Sequence, residues 1–297
     1  MPFAHIATYV RQRLGRDPQM LLALDLDGTL LLKGDVVPPD AAAALQEVAE
    51  RGVGIVIATG RRYRIALTAV AQLQFPFLLL SHNGALLKDP ATHTTIHLES
   101  FPDALVEPVW SLLRDKGLGP VGHLDRHDNP PEILTVAPVA GSYHAAMVAA
   151  RYAGIAGILD GELPSYPLVQ MLAFGTPEIL YPIQAEVEAL APNGLYCHTM
   201  RVPHEEIFVL EILHPEGSKW AGIARLATAL GLPIASVVAA GDDANDIPML
   251  RGAGLGVAMG NGTAEAKAAA DVVVASNVDG GIAELVERYV LPRLLRH

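Results

Sequence analysis

Cysteine occurs once in the 297 residues, at Cys197. That excludes an intramolecular disulfide and any cysteine-rich zinc site. The lone thiol reads as a small, half-buried hydrophobe. Basic residues are scarce too: 21 Lys and Arg stand against 32 Asp and Glu, a formal charge of −11. A surface of that sign disfavours nucleic acid and anionic membrane as partners. It also means that an anionic substrate must be received by a local feature working against the global field. No apolar stretch reaches the roughly 20 residues of a membrane span. The first twenty residues mix charges into a short amphipathic helical pattern and lack the apolar segment of a secretory signal. A cytoplasmic location is the expectation.

What is present is an apolar composition, 51% hydrophobic, in a chain long enough for more than one structural unit. Continuous apolar segments of strand length fall at 21–26, 52–60, 75–84, 236–243, 255–260 and 271–276. Unbroken rather than alternating, they have the pattern of strands covered on both faces. Helical stretches lie between them, PDAAAALQEVAERG, RRYRIALTAVAQLQ and SKWAGIARLATALG among them, and GGIAELVERYVLPRLL closes the chain. This alternation predicts an α/β fold with a doubly wound, mainly parallel sheet. From about 86 to 213 the alternation gives way to prolines, histidines and mixed segments such as HTTIHLES. The reading is a core of residues 1–85 and 214–297, with an α+β cap domain of 86–213 inserted. His123 and His127 have helical metal-ligand spacing, but their neighbours Asn129, Pro130 and Pro131 argue for a loop of solvated histidines.

The first strand ends in LLALDLDGTLLL, where Asp25 and Asp27 interrupt an otherwise buried run. A hairpin at Asp27-Gly28 explains the second acid but not the first. Residues two apart on a strand share a face, and two such carboxylates repel by roughly 4 kcal/mol at an effective dielectric near 20. A compensating cation or strongly polar site is required. In open α/β sheets ligands bind beyond the carboxyl ends of the strands, and unusual polar residues collect at those ends here. Thr59-Gly60-Arg61 ends the second strand, Ser81-His82-Asn83-Gly84 the third, and Gly241 to Asp246, with Asn245, the fourth. Asp25 and Asp242 would be hard oxygen ligands on neighbouring strands, suited to Mg²⁺. The glycine-bounded turns offer backbone N–H groups to a phosphate.

DLDGT at 25–29, TGR at 59–61, Lys219 in GSKW and GDDANDIPML at 241–250 resemble the four motifs of the haloacid dehalogenase superfamily. SHNGA (81–85), LGVAMGNG (255–262) and SNVDGGIAEL (276–285) narrow the likeness to its Cof-type phosphatases, which carry a large inserted cap that sets specificity. The resemblance implies Asp25 as nucleophile through an aspartyl-phosphate, and Asp27 as acid and base, its carbonyl joining the metal shell. It implies that Thr59, Gly60, Arg61, Asn83 and Asn245 attend the phosphate and that Lys219 counters negative charge. Asp25, Asp27, Asp242 and Asp246 would serve Mg²⁺. The substrate implied is a small phosphorylated metabolite of the sugar phosphate kind. A sugar phosphomutase would share the nucleophile motif. A phospho-accepting receiver or a phosphate-binding protein would leave the inserted block or the reactive set unexplained. Two signals are set aside. Gly254-Leu255-Gly256 with Gly260 has the wrong spacing for a dinucleotide fingerprint. Asn261-Gly262-Thr263 fits a glycosylation sequon but follows no secretion signal.

Overall fold

The computed structural model describes residues 3–14, 16–127, 129–160, 163, 166–202 and 205–295. The chain divides into two compact units, one running up to His97 and resuming at Ser218, the other from Leu98 to Gly217.

The first unit opens with helix α1 (Ala4–Leu14), whose Ile6, Ala7 and Val10 are buried. Then follow β1 (Met20–Leu24), α2 (Pro39–Glu50), β2 (Val53–Ala58), α3 (Tyr63–Val70), β3 (Leu78–Ser81), β4 (Leu86–Lys88) and β5 (Thr95–Leu98). Every residue of β1 and β2 is buried, as the unbroken apolar runs require. Proline at the first position of α2 costs that helix nothing, since its missing N–H would have no intrahelical partner.

The second unit contains α4 (Asp103–Asp115), β6 (Val121–Leu124), β7 (Ile133–Val136), α5 (Tyr143–Arg151), β8 (Ala156–Leu159), β9 (Leu168–Gly175), α6 (Pro177–Leu190), β10 (Tyr196–Arg201) and β11 (Phe208–Leu213). Its six strands form one sheet in the order β10-β11-β9-β6-β7-β8, antiparallel except for the β7–β8 pair. Val109, Trp110 and Leu113 of α4 and Leu180, Ile183 and Val187 of α6 share one core, while Met147 of α5 belongs to another. Cys197 is half-buried on β10, where burial and the nearby Glu188 carboxylate push its thiol up to about 12. A thiol held protonated is a poor nucleophile.

On return the first unit adds α7 (Lys219–Leu230), β12 (Val237–Gly241), α8 (Ile247–Gly252), β13 (Leu255–Ala258), α9 (Ala264–Ala269), β14 (Val272–Val273), α10 (Gly281–Leu285) and α11 (Leu291–Leu294). The Ser218 hydroxyl caps α7 by accepting from the Ala221 N–H, and Gly231 ends the helix in the left-handed region. The eight strands order as β14-β13-β12-β1-β2-β3-β4-β5. All neighbours from β14 to β3 run parallel, and β4 turns back antiparallel to β3. The chain winds outward from β1 in one direction and later returns to β12 on its other side, so the order switches between β1 and β12. No helix among the described residues is long and apolar enough to cross a membrane.

The structure corrects the sequence reading in three places. The inserted unit begins at Leu98, not at residue 86, because the LLK and TIHL segments extend the core sheet as β4 and β5. His123 is not a solvated loop residue but a buried one on β6, its ring nitrogens facing Gln170 at 3.0 Å and the Tyr152 hydroxyl at 3.4 Å. The terminal helix expected over 280–295 is interrupted by a wider turn at Val286–Val290, just before Pro292, whose ring removes a backbone donor.

His82 supplies a pH effect outside the chemistry. It is fully buried, and burial, with the positive charges of Arg62 and Lys88, depresses its pKa to about 3. A histidine that must stay neutral when folded contributes stability that is complete above its unfolded pKa, near 6.5, and is lost as pH falls toward the folded value. At pH 5 the loss is about 2 kcal/mol. As pH falls from 6.5 to 5, the urea midpoint of wild type should therefore fall relative to that of a His82→Asn variant, whose side chain tolerates the left-handed φ of 52°, because the other buried groups titrate alike in both. A difference between the two proteins that is independent of pH would refute this.

Candidate active site

Asp25 follows the last residue of β1, and Asp242 the last of β12, on adjacent parallel strands whose register pairs Leu24 with Ala240. They stand at the carboxyl edge where the strand order switches, the place where open α/β sheets bind ligands. The Asp25 N–H still donates to the Ala240 carbonyl at 3.0 Å, which fixes the first acid as a continuation of the sheet.

Lys219, the first residue of α7, reaches into this edge. Its Nζ donates to Asp25 Oδ1 at 2.6 Å and to Asp246 Oδ1 at 2.7 Å, with all three side chains almost completely buried. The remaining oxygen of Asp246 accepts the backbone N–H groups of Asp242 (2.9 Å) and Asp243 (3.1 Å), tying the turn after β12 to the lysine. Asp242 Oδ1 accepts from the Thr29 hydroxyl at 3.0 Å. Carboxylate oxygens of Asp25, Asp242 and Asp246 lie within 4.8 Å of one another.

Burial and the Asp246 charge drive the Asp25 carboxyl well above the usual carboxylate range, against the pull of Lys219. Asp242 is pushed up to about 6 by burial and by Asp246, with the Thr29 hydrogen bond opposing. Burial opposes the charge on Lys219, but the carboxylates of Asp25 and Asp246 outweigh it and raise its pKa. One buried ammonium thus faces three acids, and the acids that remain uncompensated call for a further cation. Oxygen donors of this kind fit a hard divalent ion, Mg²⁺ foremost.

Asp27 is placed differently. Its side chain is 59% exposed. Arg61 grips it in bidentate fashion, Nε to Oδ2 at 2.8 Å and Nη2 to Oδ1 at 2.5 Å. The same guanidinium holds Asp35, at 2.7 and 2.9 Å. Arg61 therefore spans two carboxylates and serves the second acid directly. Thr59 is buried, its hydroxyl accepting the Arg61 N–H at 3.1 Å, which leaves its own proton to donate. Gly60 lies against Asn83, whose Oδ1 would stand 2.9 Å from a Cβ at position 60. Asn83 in turn faces Asn245 Nδ2 at 3.4 Å. The candidate residues at the four strand ends thus fall into one neighbourhood. Gly84, at φ +105°, lets the turn after β3 press on the start of α7, since a Cβ there would stand 2.1 Å from the Ser218 carbonyl oxygen. Gly28, at φ +80°, similarly yields space to Asp242, whose Oδ2 would be 2.2 Å from an added Cβ.

Sequence reasoning missed Thr29 and Asp35. Thr29 lay within the quoted DLDGT, but only the fold shows that its hydroxyl meets a carboxylate 213 positions away. Asp35, in the Lys33-Gly34-Asp35 turn, carries no signal beyond an ordinary turn composition.

An acidic cluster with one buried lysine stands at the switch point of a parallel α/β core, and the chain's relatives place that core in the phosphatase class of hydrolases. The family model of the haloacid dehalogenase-like hydrolases matches residues 22–127 and 159–286, and the chain belongs to that family, among its Cof-type phosphatases. It is 26% identical to the pyridoxal phosphate phosphatase YbhA of Escherichia coli over 91% of this chain and 98% of that protein. It is 25% identical to the 5-amino-6-(5-phospho-D-ribitylamino)uracil phosphatase YitU of Bacillus subtilis, over 91% and 97% of the two chains. A crystal structure of a haloacid dehalogenase-like hydrolase from Bacteroides thetaiotaomicron superposes with a TM-score of 0.73 at 25% identity, covering 91% of this chain and 98% of that one.

Proposed function

We propose that this chain is a Mg²⁺-dependent cytoplasmic phosphatase that hydrolyses a small phosphorylated metabolite, a sugar phosphate or a close analogue, through an aspartyl-phosphate on Asp25. The observation that carries the reading is the buried Lys219 shared by Asp25 and Asp246, beside Asp242. A lysine so placed has no role in a surface ion pair, yet suits a nucleophile that must meet an anion.

In this reading an Asp25 carboxylate oxygen attacks phosphorus, and the bond from phosphorus to the ester oxygen breaks. Asp27 gives its proton to the departing alkoxide, then takes one from the water that attacks the aspartyl-phosphate, releasing inorganic phosphate and restoring Asp25. Asp27 is exposed enough to reach a substrate, and to carry a proton it must give up at least one of the two bonds by which Arg61 holds both of its oxygens. The Thr59 hydroxyl donates to a phosphoryl oxygen, and the Asn83 and Asn245 amides line the same edge. Lys219 favours the ionised form of Asp25 against its burial and offsets charge on the transferring group. Mg²⁺, held by Asp25, Asp242, Asp246 and the Asp27 carbonyl, would supply Lewis-acid neutralisation of the phosphoryl charge.

The substrate class is supported by relatives named for phosphorylated metabolites. The test is a panel of sugar phosphates, sugar-alcohol phosphates and pyridoxal phosphate, read as inorganic phosphate with Mg²⁺ present and after chelation by EDTA. Release should fall by at least about 10²-fold on chelation, since the metal stabilises charge by several kcal/mol, and return on adding Mg²⁺. No release from any compound, or release indifferent to EDTA, would overturn the proposal. Phosphate passed between sugar positions rather than to water would replace it with a mutase.

A further inference from the structure

Two asparagines outside the charged cluster hold the turn that carries Asp27. Asn261, in the loop after β13, donates its Nδ2 to the Gly28 carbonyl at 2.7 Å. Its Oδ1 accepts the backbone N–H of Asn277 at 3.0 Å. Asn277, in the turn after β14, donates its own Nδ2 to the Leu31 carbonyl at 2.8 Å. The ring closes through the Gly28–Leu31 segment itself, whose Leu31 N–H donates to the Leu26 carbonyl at 2.8 Å. The amide orientation of Asn261 is set by its partners, because a flipped group would face a carbonyl with oxygen and an N–H with nitrogen.

From this ring we infer that Asn261 and Asn277 are positioning residues for the phosphatase chemistry: they fix the peptide planes of Gly28 and Leu31 and thereby the aim of Asp27 and Thr29. The inference rests on the proposed function, since Asp27 matters only if it moves a proton. Both ends of the turn are gripped from outside, one through Gly28, directly after Asp27, and one through Leu31, four residues on. Between them Thr29 is held to Asp242. The loop of Asn261 is attached to the same place by its own backbone, the Thr263 N–H donating to the Asp242 carbonyl at 2.8 Å. The turn and the Asp242 loop are therefore registered to each other by side-chain amides rather than by sheet pairing. Asn261 is exposed, so its hydrogen bonds add little to folding. Their effect is on geometry, and a displacement of about 1 Å at a reacting group costs on the order of 10²-fold in rate. Asn261, which sits in a glycosylation-like triplet, thus has an intramolecular use.

The test compares Asn261→Ala, Asn261→Asp and Asn277→Asp with wild type, using 4-nitrophenyl phosphate with Mg²⁺, together with hydrogen exchange across residues 26–32. Asn261→Asp keeps the acceptor for Asn277, loses the donor to Gly28 and sets a carboxylate oxygen against that carbonyl. All three variants should lose about 10- to 100-fold in kcat with KM within about threefold, keep nearly the wild-type melting temperature and exchange faster over 26–32. Wild-type kcat in Asn261→Ala, or in Asn261→Asp alone, would overturn the inference, as would unchanged exchange in the variants. A wild-type protein inactive on every phosphate ester would instead sink the proposed function, and the exchange measurement would still decide whether the asparagines hold the turn.

Discussion

Asp25→Asn should abolish turnover, by about 10⁴-fold or more, and leave the protein at least as stable as before. The substitution is isosteric, and the backbone N–H of position 25 keeps its bond to Ala240. What changes is chemistry: a carboxamide oxygen is a far weaker nucleophile than a carboxylate and cannot form the acyl phosphate. Stability should hold because the native carboxylate is under electrostatic pressure. Burial and the charges of Asp246 and Asp242 all disfavour its ionised form, and Lys219 alone among its neighbours offsets them. Removing that charge leaves Lys219 paired to Asp246 at 2.7 Å, a buried ion pair with its balance improved. Activity lost together with the fold would say nothing about Asp25. Activity lost with the thermal midpoint kept or raised is the expected result, measured by phosphate release and by calorimetry on the same preparation. Undiminished hydrolysis would remove Asp25 from the mechanism.

The parts of this site that could be read in the sequence share one physical property: they are polar groups that violate a buried pattern. Asp25 stands out because leucines surround it, and Asp242 because it ends VVAAG. Strands covered on both faces make a charge at their ends conspicuous. Lys219 and Arg61 are harder to assign from residues alone, since an isolated basic residue before or within a helix looks solvated. Lys219 needed the family resemblance, and the Arg61 grip on Asp27 and Asp35 emerged only from the fold. The β4–β5 hairpin and the burial of His123 were out of reach for a related reason. HTTIHLES and GHLDRHD contain no continuous apolar run, and their place follows from strand pairing across the fold rather than from local preference. The Thr29, Asn261 and Asn277 contacts join positions 213 to 246 residues apart. Hydrogen bonds at that separation leave no periodicity for a single sequence to display.

Lys219→Met should be costly twice over, and the two losses can be told apart by pH. Methionine matches the length of the lysine stem but leaves Asp25 and Asp246 buried without their ammonium. Breaking a buried ion pair from one side typically costs about 3–5 kcal/mol, so the urea midpoint should fall well below that of wild type when EDTA is present. Burial and mutual repulsion already raise the Asp25 carboxyl, and without Lys219 its pKa should climb further. A carboxyl whose folded pKa lies above its unfolded value favours the fold most at low pH, and that contribution disappears as pH rises through the folded pKa. The stability gap between wild type and Lys219→Met should therefore widen from pH 5 to pH 8. Subtracting the wild-type curve removes the His82 contribution, which has the opposite slope. Added Mg²⁺ should narrow the gap at pH 8, because carboxylates left without the ammonium should hold the cation more tightly than those of wild type and so gain more by mass action, yet it should not restore turnover. A gap independent of pH and of Mg²⁺ would mean that Lys219 contributes packing alone, and the electrostatic basis of the site would fail with it.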